Sequence, residues 1–304
     1  MFKTGYISVV GKPNAGKSTL VNKLVGFKVA ITTPKPQTTR FNIKGIITSK
    51  TSQMIFTDTP GVHIPKNKLG EYMMKGVDEA IKCVDVIIYI VDASKPKIDV
   101  ASEKIMQNIV DTKSKVILAI NKIDKIEKGK ILNIINEYNG YMNSINGSFD
   151  EIIPISIYKE DGLDILVQNI EKYLPEGEPI FSEDDITNIT ERELVEEIIR
   201  EKALNNLEEE VPHGIKVEVE KFKKRRNSKK ESVYDIEVNI ICARNSHKGI
   251  IIGKDGLMLK KIGTLARKEI ENMLEDKVNL KLWVKVRPNW QENEMYLKDI
   301  KNKY

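Results

Sequence analysis

Cysteine is almost absent from this chain: Cys83 and Cys242 are the only two in 304 residues. Two thiols build neither a disulfide framework nor, alone, a zinc site, and such sparse use fits a reducing compartment. Long apolar runs are missing too. The longest, within residues 84–91, is strand-sized and far short of the roughly 18–20 residues of a membrane span. The first five residues lead straight into a strand, so no signal peptide is expected. Arginine is nearly missing from the first two thirds, with Arg40 alone before residue 192. No charge sign dominates: 49 basic against 44 acidic side chains leave a formal +5, which neither demands nor excludes a nucleic-acid partner. What is present, 40% hydrophobic and 31% charged residues, excludes a disordered or fibrous chain. At about 150 residues per domain the length predicts two domains.

Residues 1–174 alternate short Val- and Ile-rich runs (6–10, 41–48, 54–57, 84–91, 116–121, 152–156) with helical stretches (17–26, 71–82, 101–111, 127–138, 163–173). This pattern predicts an α/β domain whose mostly parallel sheet is covered on both faces. Residues 41–57 hold two strand runs with no helix between them, so one edge strand should be antiparallel. Pro175-Glu176-Gly177-Glu178-Pro179 opens an acidic, aperiodic linker over 175–190. Residues 191–304 then follow the order α-β-β-α-α-β.

Gly11-Lys12-Pro13-Asn14-Ala15-Gly16-Lys17-Ser18 is a G-x-x-x-x-G-K-S phosphate loop between a strand and a helix, with Thr19 next in that helix. Its backbone amides and the helix N-terminus suit phosphate; Lys17 supplies a point charge and Ser18 a Mg²⁺ ligand. Asn121-Lys122-Ile123-Asp124 selects guanine. The Asp124 carboxylate accepts from N1–H and the 2-amino group, donors that adenine lacks. Lys122 packs on the base, Asn121 ties loops together, and Ser156 with Ile157 places a backbone N–H near guanine O6. Asp58 reaches Mg²⁺ through water, and the Gly61 N–H senses the γ-phosphate. Within residues 34–40, Thr39 is the favoured closing ligand for Mg²⁺, with Thr38 the alternative. These features predict a GTP/GDP-binding, GTP-hydrolysing switch. Lys17, Thr39 and Gly61 are the residues expected to serve the chemistry. Val62 stands where Ras-type enzymes orient water with glutamine, so slow intrinsic hydrolysis is expected. His63 reads as a solvated loop histidine.

In the second domain, Gly253-Lys254-Asp255-Gly256 follows Gly249-Ile250-Ile251-Ile252 and sits between helices. A G-x-x-G loop in this element order predicts an α+β type II KH domain. Single-stranded RNA is expected beside Ile251, Ile252 and the second strand. Arg244, Lys248, Lys254 and Lys260 are the candidates for phosphate, and Gly249, Asp255 and Gly256 belong to the same loop region. Residues 221–230 read as a mobile basic hairpin tip serving RNA in preference to a membrane surface. Trp283 and Trp290 have the chemistry to stack on bases, although the alternation around Trp283 also fits a core position.

The phosphate loop, Pro36-Gln37-Thr38-Thr39-Arg40, Asp58-Thr59-Pro60-Gly61, Asn121-Lys122-Ile123-Asp124, the G-x-x-G run and Val286-Arg287-Pro288-Asn289-Trp290 together closely resemble the Era family of bacterial GTPases over essentially the whole chain. The resemblance implies a Ras-like GTPase domain joined to a KH domain. It also implies a monomer that binds near the 3′ end of 16S ribosomal RNA and serves maturation of the small ribosomal subunit. The location it implies is cytoplasmic, with peripheral contact to the inner membrane face. In related enzymes with a Pro-Asn-x-Gly-Lys-Ser loop, the residue matching Asn14 helps hold K⁺; stabilising the loop is the other reading of Asn14. Ile157 departs from the usual Ser-Ala pattern.

The mild +5 hides a partition. Residues 175–210 carry 3 basic and 13 acidic side chains, whereas 211–304 carry 22 and 13. The acidic stretch, Glu208, Glu209 and Glu210 included, has the charge to repel misplaced RNA or to dock on the basic module.

Overall fold

The computed structural model describes residues 1–35, 37–65, 67–228 and 230–293. Pro36, Lys229 of the basic hairpin and the tail from residue 294 lie outside the described residues. The chain forms two units, one of residues 1–32 with 39–188, the other of Thr33–Thr38 with the residues from 189 onward.

The first unit runs β1 (Lys3–Val10), α1 (Lys17–Val25), β2 (Ile43–Thr48), β3 (Ser52–Asp58), α2 (Lys68–Lys82), β4 (Val86–Asp92), α3 (Val100–Val110), β5 (Lys115–Asn121), α4 (Lys128–Ser144), β6 (Glu151–Pro154) and α5 (Leu163–Tyr173). The sheet order is β2-β3-β1-β4-β5-β6. All pairs are parallel except β2–β3. The apolar runs of β4 and β5 are buried because helices cover both faces, as near-continuous hydrophobic strands require. Parallel register brings the carboxyl ends of β1, β3, β4 and β5 to one side. Val9 pairs with Asp58 and Asp92 with Asn121. In an open α/β sheet that side, near the strand where the order reverses, is where ligands bind.

The first unit does not stop at α5. Residues 175–188 return along it: Thr4 donates to the Pro175 carbonyl, Gly177 to Phe2, and Ile46 to Ile186. Lys44 N–H donates to Asn188 Oδ1, and the fully buried Gln53 amide binds Ile180 and Phe181 by their backbone. Most of the expected linker is therefore stitched to the β2–β3 edge. That covering satisfies backbone groups an edge strand leaves open.

The second unit contains α6 (Glu191–Asn206), β7 (Ile215–Arg226), β8 (Ser232–Cys242), α7 (Asn245–Ile252), α8 (Leu257–Leu274) and β9 (Lys277–Val286). Thr190 and Glu193 form a reciprocal capping box that starts α6. The sheet order is β7-β8-β9, with β9 parallel to β8. Its inner face packs on α6, α7 and α8 through Ile199, Ile236, Val238, Ile240, Ile251, Ile262 and Ile270.

The acids of α6 are used internally. Glu196 accepts from the Val219 N–H, Glu197 pairs with Arg200, and Lys202 bridges Glu201 and Glu269. Glu193, Glu196, Glu197 and Glu201 are buried rather than displayed as a repelling surface, and Glu191 at the start of α6 is exposed. Glu208, Glu209 and Glu210 are exposed, and Glu210 lies 3.7 Å from His247. The basic hairpin also differs from expectation. Lys224 pairs with Asp276 and Arg225 with Asp235, so the strand holds charges that a free block would leave mobile.

Candidate functional site

The phosphate loop curls because Gly16 adopts a left-handed φ of 114°. A Cβ there would lie 2.4 Å from Asn121 Nδ2, so glycine is required on two counts. Lys17 lies under the loop and donates to the carbonyls of Gly11 and Lys12. Burial depresses its ammonium to about pKa 8, against the opposing pull of Asp58. Without phosphate, stability should therefore rise between about pH 8 and 10.5. In that window the unfolded Lys17 keeps a proton that the folded one has released. Phosphate oxygens favour the ammonium, so nucleotide binding at pH 8 should take up about half a proton. Calorimetry in buffers of different ionisation heat reads that uptake; its absence would contradict the assignment of Lys17 to phosphate.

Three hydroxyl and carboxylate groups converge beside Lys17. Ser18 Oγ lies 2.7 Å from Asp58 Oδ2 and 2.9 Å from Thr39 Oγ1, and Thr39 Oγ1 donates to Asp58 at 3.1 Å. Asp58 is fully buried. An all-oxygen set with one buried carboxylate suits Mg²⁺, a hard cation. Thr39, not Thr38, faces this cluster. The Thr38 hydroxyl turns to Thr33 and Lys35, and its carbonyl accepts from the buried Arg200 of α6 in its own unit. Gly61 lies against Pro13, where a Cβ would approach within 2.9 Å, and the next residue, Val62, donates to the Gly11 carbonyl. His63 is not a freely solvated side chain. It is half-buried, with Nδ1 on the Gly61 carbonyl at 2.8 Å and Nε2 shielded without a partner.

The base-selecting loops are cross-tied. Asn121 donates to the Ala15 carbonyl and accepts from Ile157 N–H. Ser156 Oγ donates to Asp124 at 2.5 Å, fixing the carboxylate plane. Ile157 is buried, with its Cδ1 beside Gly16, so the unusual apolar residue packs on the phosphate loop. Lys122 sits at φ 66° and bridges the Asn14 carbonyl and Asp92. The motifs had not pointed to Asp92. Burial opposes its charge, but hydrogen bonds from Lys122 and Ser94 outweigh that and hold the carboxyl below the ordinary carboxylate range. The available signal was positional: like Asp58 and Asn121, it ends a strand. Thr19 lies in the first turn of α1.

In the second unit, Gly253 (φ 73°) and Gly256 (φ 75°) bracket exposed Lys254 and Asp255. A groove of about 490 Å³ starts at Gly256. Leu259, Leu280 and Leu282 give it an apolar floor, with Lys260, Thr264 and Arg267 at the rim. Gly263 admits Leu282, which would lie 3.2 Å from a Cβ there. This location corrects two expectations. Ile251 is fully buried in the core and presents nothing to a ligand. The strand residues that line the groove, Leu280 and Leu282, come from β9 and none from the second strand, β8. Ile252 is half-buried, while Arg244, Lys248 and Gly249 are exposed at α7. Arg267 and Thr264 were missed, because only the helix phase shows which side of α8 faces β9. Trp290 is core, its Nε1–H donating to the Gly214 carbonyl, whereas Trp283 points outward.

Residues 6–122 match the family described as "50S ribosome-binding GTPase", and residues 210–291 match the KH domain family. A protein named GTPase Era from Ruminiclostridium cellulolyticum is 48% identical over 299 residues, 98% of this chain and 97% of the relative. GTPase Era from Clostridioides difficile is 47% identical over 301 residues, 99% and 98% of the two chains. A crystal structure of Era in complex with MgGDPNP and nucleotides 1506–1542 of 16S ribosomal RNA is 42% identical, covers 98% of both chains and superposes with a TM-score of 0.92. An Aquifex aeolicus Era variant bound to GDP and AlF4⁻ superposes at 0.90.

Proposed function

The chain belongs to the Era family of GTPases, and on that premise we propose that it binds the 3′ end of 16S ribosomal RNA in a GTP-gated manner and serves assembly of the small ribosomal subunit. One observation carries this reading: a complete guanine-nucleotide site and a G-x-x-G groove with an apolar floor occur in the same chain. The related complex holds both a Mg²⁺-bound nucleotide and that RNA segment. In this reading GTP and Mg²⁺ bind through Lys17, Ser18, Thr39 and Asp58. Gly61 and Thr39 respond to the γ-phosphate, and the RNA bases lie over Leu259, Leu280 and Leu282. Sequencing RNA crosslinked in cells to the wild type and to a Gly253→Asp variant tests the assignment. Recovery of unrelated RNA, or equal recovery by both, counts against it. RNA affinity should also differ between GDP and GTP-analogue states; equal affinities remove the gating.

Val62, the residue after Gly61, is apolar and buried and has no group with which to orient water. Intrinsic turnover in the absence of a partner should be slow, on the order of 10⁻⁴–10⁻² s⁻¹. A single-turnover assay giving several per second would refute this. Asn14 offers a way to hold K⁺ beside the phosphates, and identical rates in potassium and sodium would dismiss that role. A cytoplasmic monomer that touches the inner membrane face through basic side chains completes the proposal. Failure to float with anionic vesicles would remove the membrane part.

A further inference from the structure

Trp283 is the unused aromatic of this fold. Alternation along β9 sends Val278, Leu280, Leu282 and Val284 to the helix-covered face and Trp283 to the other, where it is 42% exposed. Lys281 and Lys285 flank it two residues away on the same face. Around it the face is charged and polar. Glu237 lies between Lys221 and Lys281 at 3.6 and 3.8 Å, and Glu218 between Lys216 and Arg287 at 2.9 and 3.0 Å. Glu220 accepts from Lys285 at 2.8 Å and from Asn239, so in these pairs five cations (Lys216, Lys221, Lys281, Lys285 and Arg287) meet three carboxylates, and this face keeps a positive excess. Asn239, in register with Trp283 on β8, adds a polar floor. An exposed indole in a cationic, otherwise polar field suits a nucleobase with its phosphates better than an apolar protein surface.

Continuity with the groove adds a second argument. Leu282 lines the groove and Trp283 is the next residue, so the two faces meet across β9, an edge strand of its sheet. We propose that RNA leaving the groove crosses the β9 edge and stacks a further base on Trp283, with Lys281 and Lys285 taking the adjoining phosphates. This rests on the RNA-binding reading above and extends the RNA-binding surface to the opposite face of the sheet.

The test uses the full chain and two RNA probes. One has four nucleotides, about the length a G-x-x-G loop clamps, and the other spans nucleotides 1506–1542 of 16S RNA. Trp283→Ala should weaken the long probe about 10-fold and leave the short one unchanged, and Trp283→Phe should restore most of the loss. Tryptophan emission of the wild type should be quenched by the long probe, through exposed Trp283 rather than buried Trp290. Equal long-probe affinity for wild type and Trp283→Ala overturns the proposal. So does a loss that Trp283→Phe fails to restore, or an unquenched emission. If neither probe binds the wild type, the RNA-binding reading itself fails and takes this inference with it. If both probes bind the wild type but Trp283→Ala changes neither, only the stacking site is lost.

Discussion

Replacing Asp124 by Asn is expected to weaken GTP and GDP binding by about 100-fold or more while leaving the fold intact. The carboxylate offers guanine two acceptors, and Ser156 holds its plane through a 2.5 Å hydrogen bond. An amide keeps one acceptor and turns the other position into a donor that faces the 2-amino group. Two donors then oppose each other, a mismatch that recognition sites built on hydrogen bonds reject strongly. Xanthine carries a carbonyl where guanine carries the 2-amino group, so the variant should gain affinity for xanthosine diphosphate. Titration with fluorescent guanosine and xanthosine diphosphates measures both changes. Retention of tight GDP binding would show that Asp124 does not read the base.

The second large effect is expected at the groove. Gly253→Asp should lower RNA affinity by about 100-fold and leave GTP turnover within about twofold. Gly253 has φ 73°, and a Cβ there would meet Met258 Cβ at 2.7 Å. A side chain therefore strains the loop where the RNA backbone must come closest, and the carboxylate adds repulsion of phosphate. Lys254→Ala, which removes one exposed charge, should cost less and reduce the slope of log affinity against log salt by about one. Filter binding across a salt series separates the two variants. A Gly253→Asp protein that binds RNA normally would move the interface away from this loop.

The nucleotide site was legible because its chemistry is local. Gly16, Lys17 and Ser18 are neighbours in sequence, and each residue type has few substitutes for its task. The α/β alternation and the antiparallel edge strand followed from period and length alone. Choosing between Thr38 and Thr39 depended on which neighbour captures each side chain. Thr33 and the Lys35 carbonyl take the Thr38 hydroxyl, with Arg200, 162 residues away, on its backbone carbonyl, while Ser18 and Asp58 take the Thr39 hydroxyl. Trp283 was ambiguous for a related reason. Alternation shows that Leu282 and Trp283 face opposite ways, but only the helices settle which way is inward. Ile251 read as a groove residue because an apolar run beside a glycine loop looks the same whether it floors a site or fills a core. The span 175–188 read as a linker because, apart from the Thr187 and Asn188 side chains at its end, it bonds to the sheet through backbone atoms, which leave little mark on side-chain choice.

That stitched span changes where the chain tolerates cutting. A fragment ending at residue 174 would lose the Ile186 carbonyl that receives Ile46 and the backbone partners of Gln53. It would bare a strand edge and a buried amide at once, and fragments with such edges associate. A protease should accordingly spare residues 177–188 and nick elsewhere first. Anyone transplanting the nucleotide-binding half onto another protein would do well to carry it through Asn188.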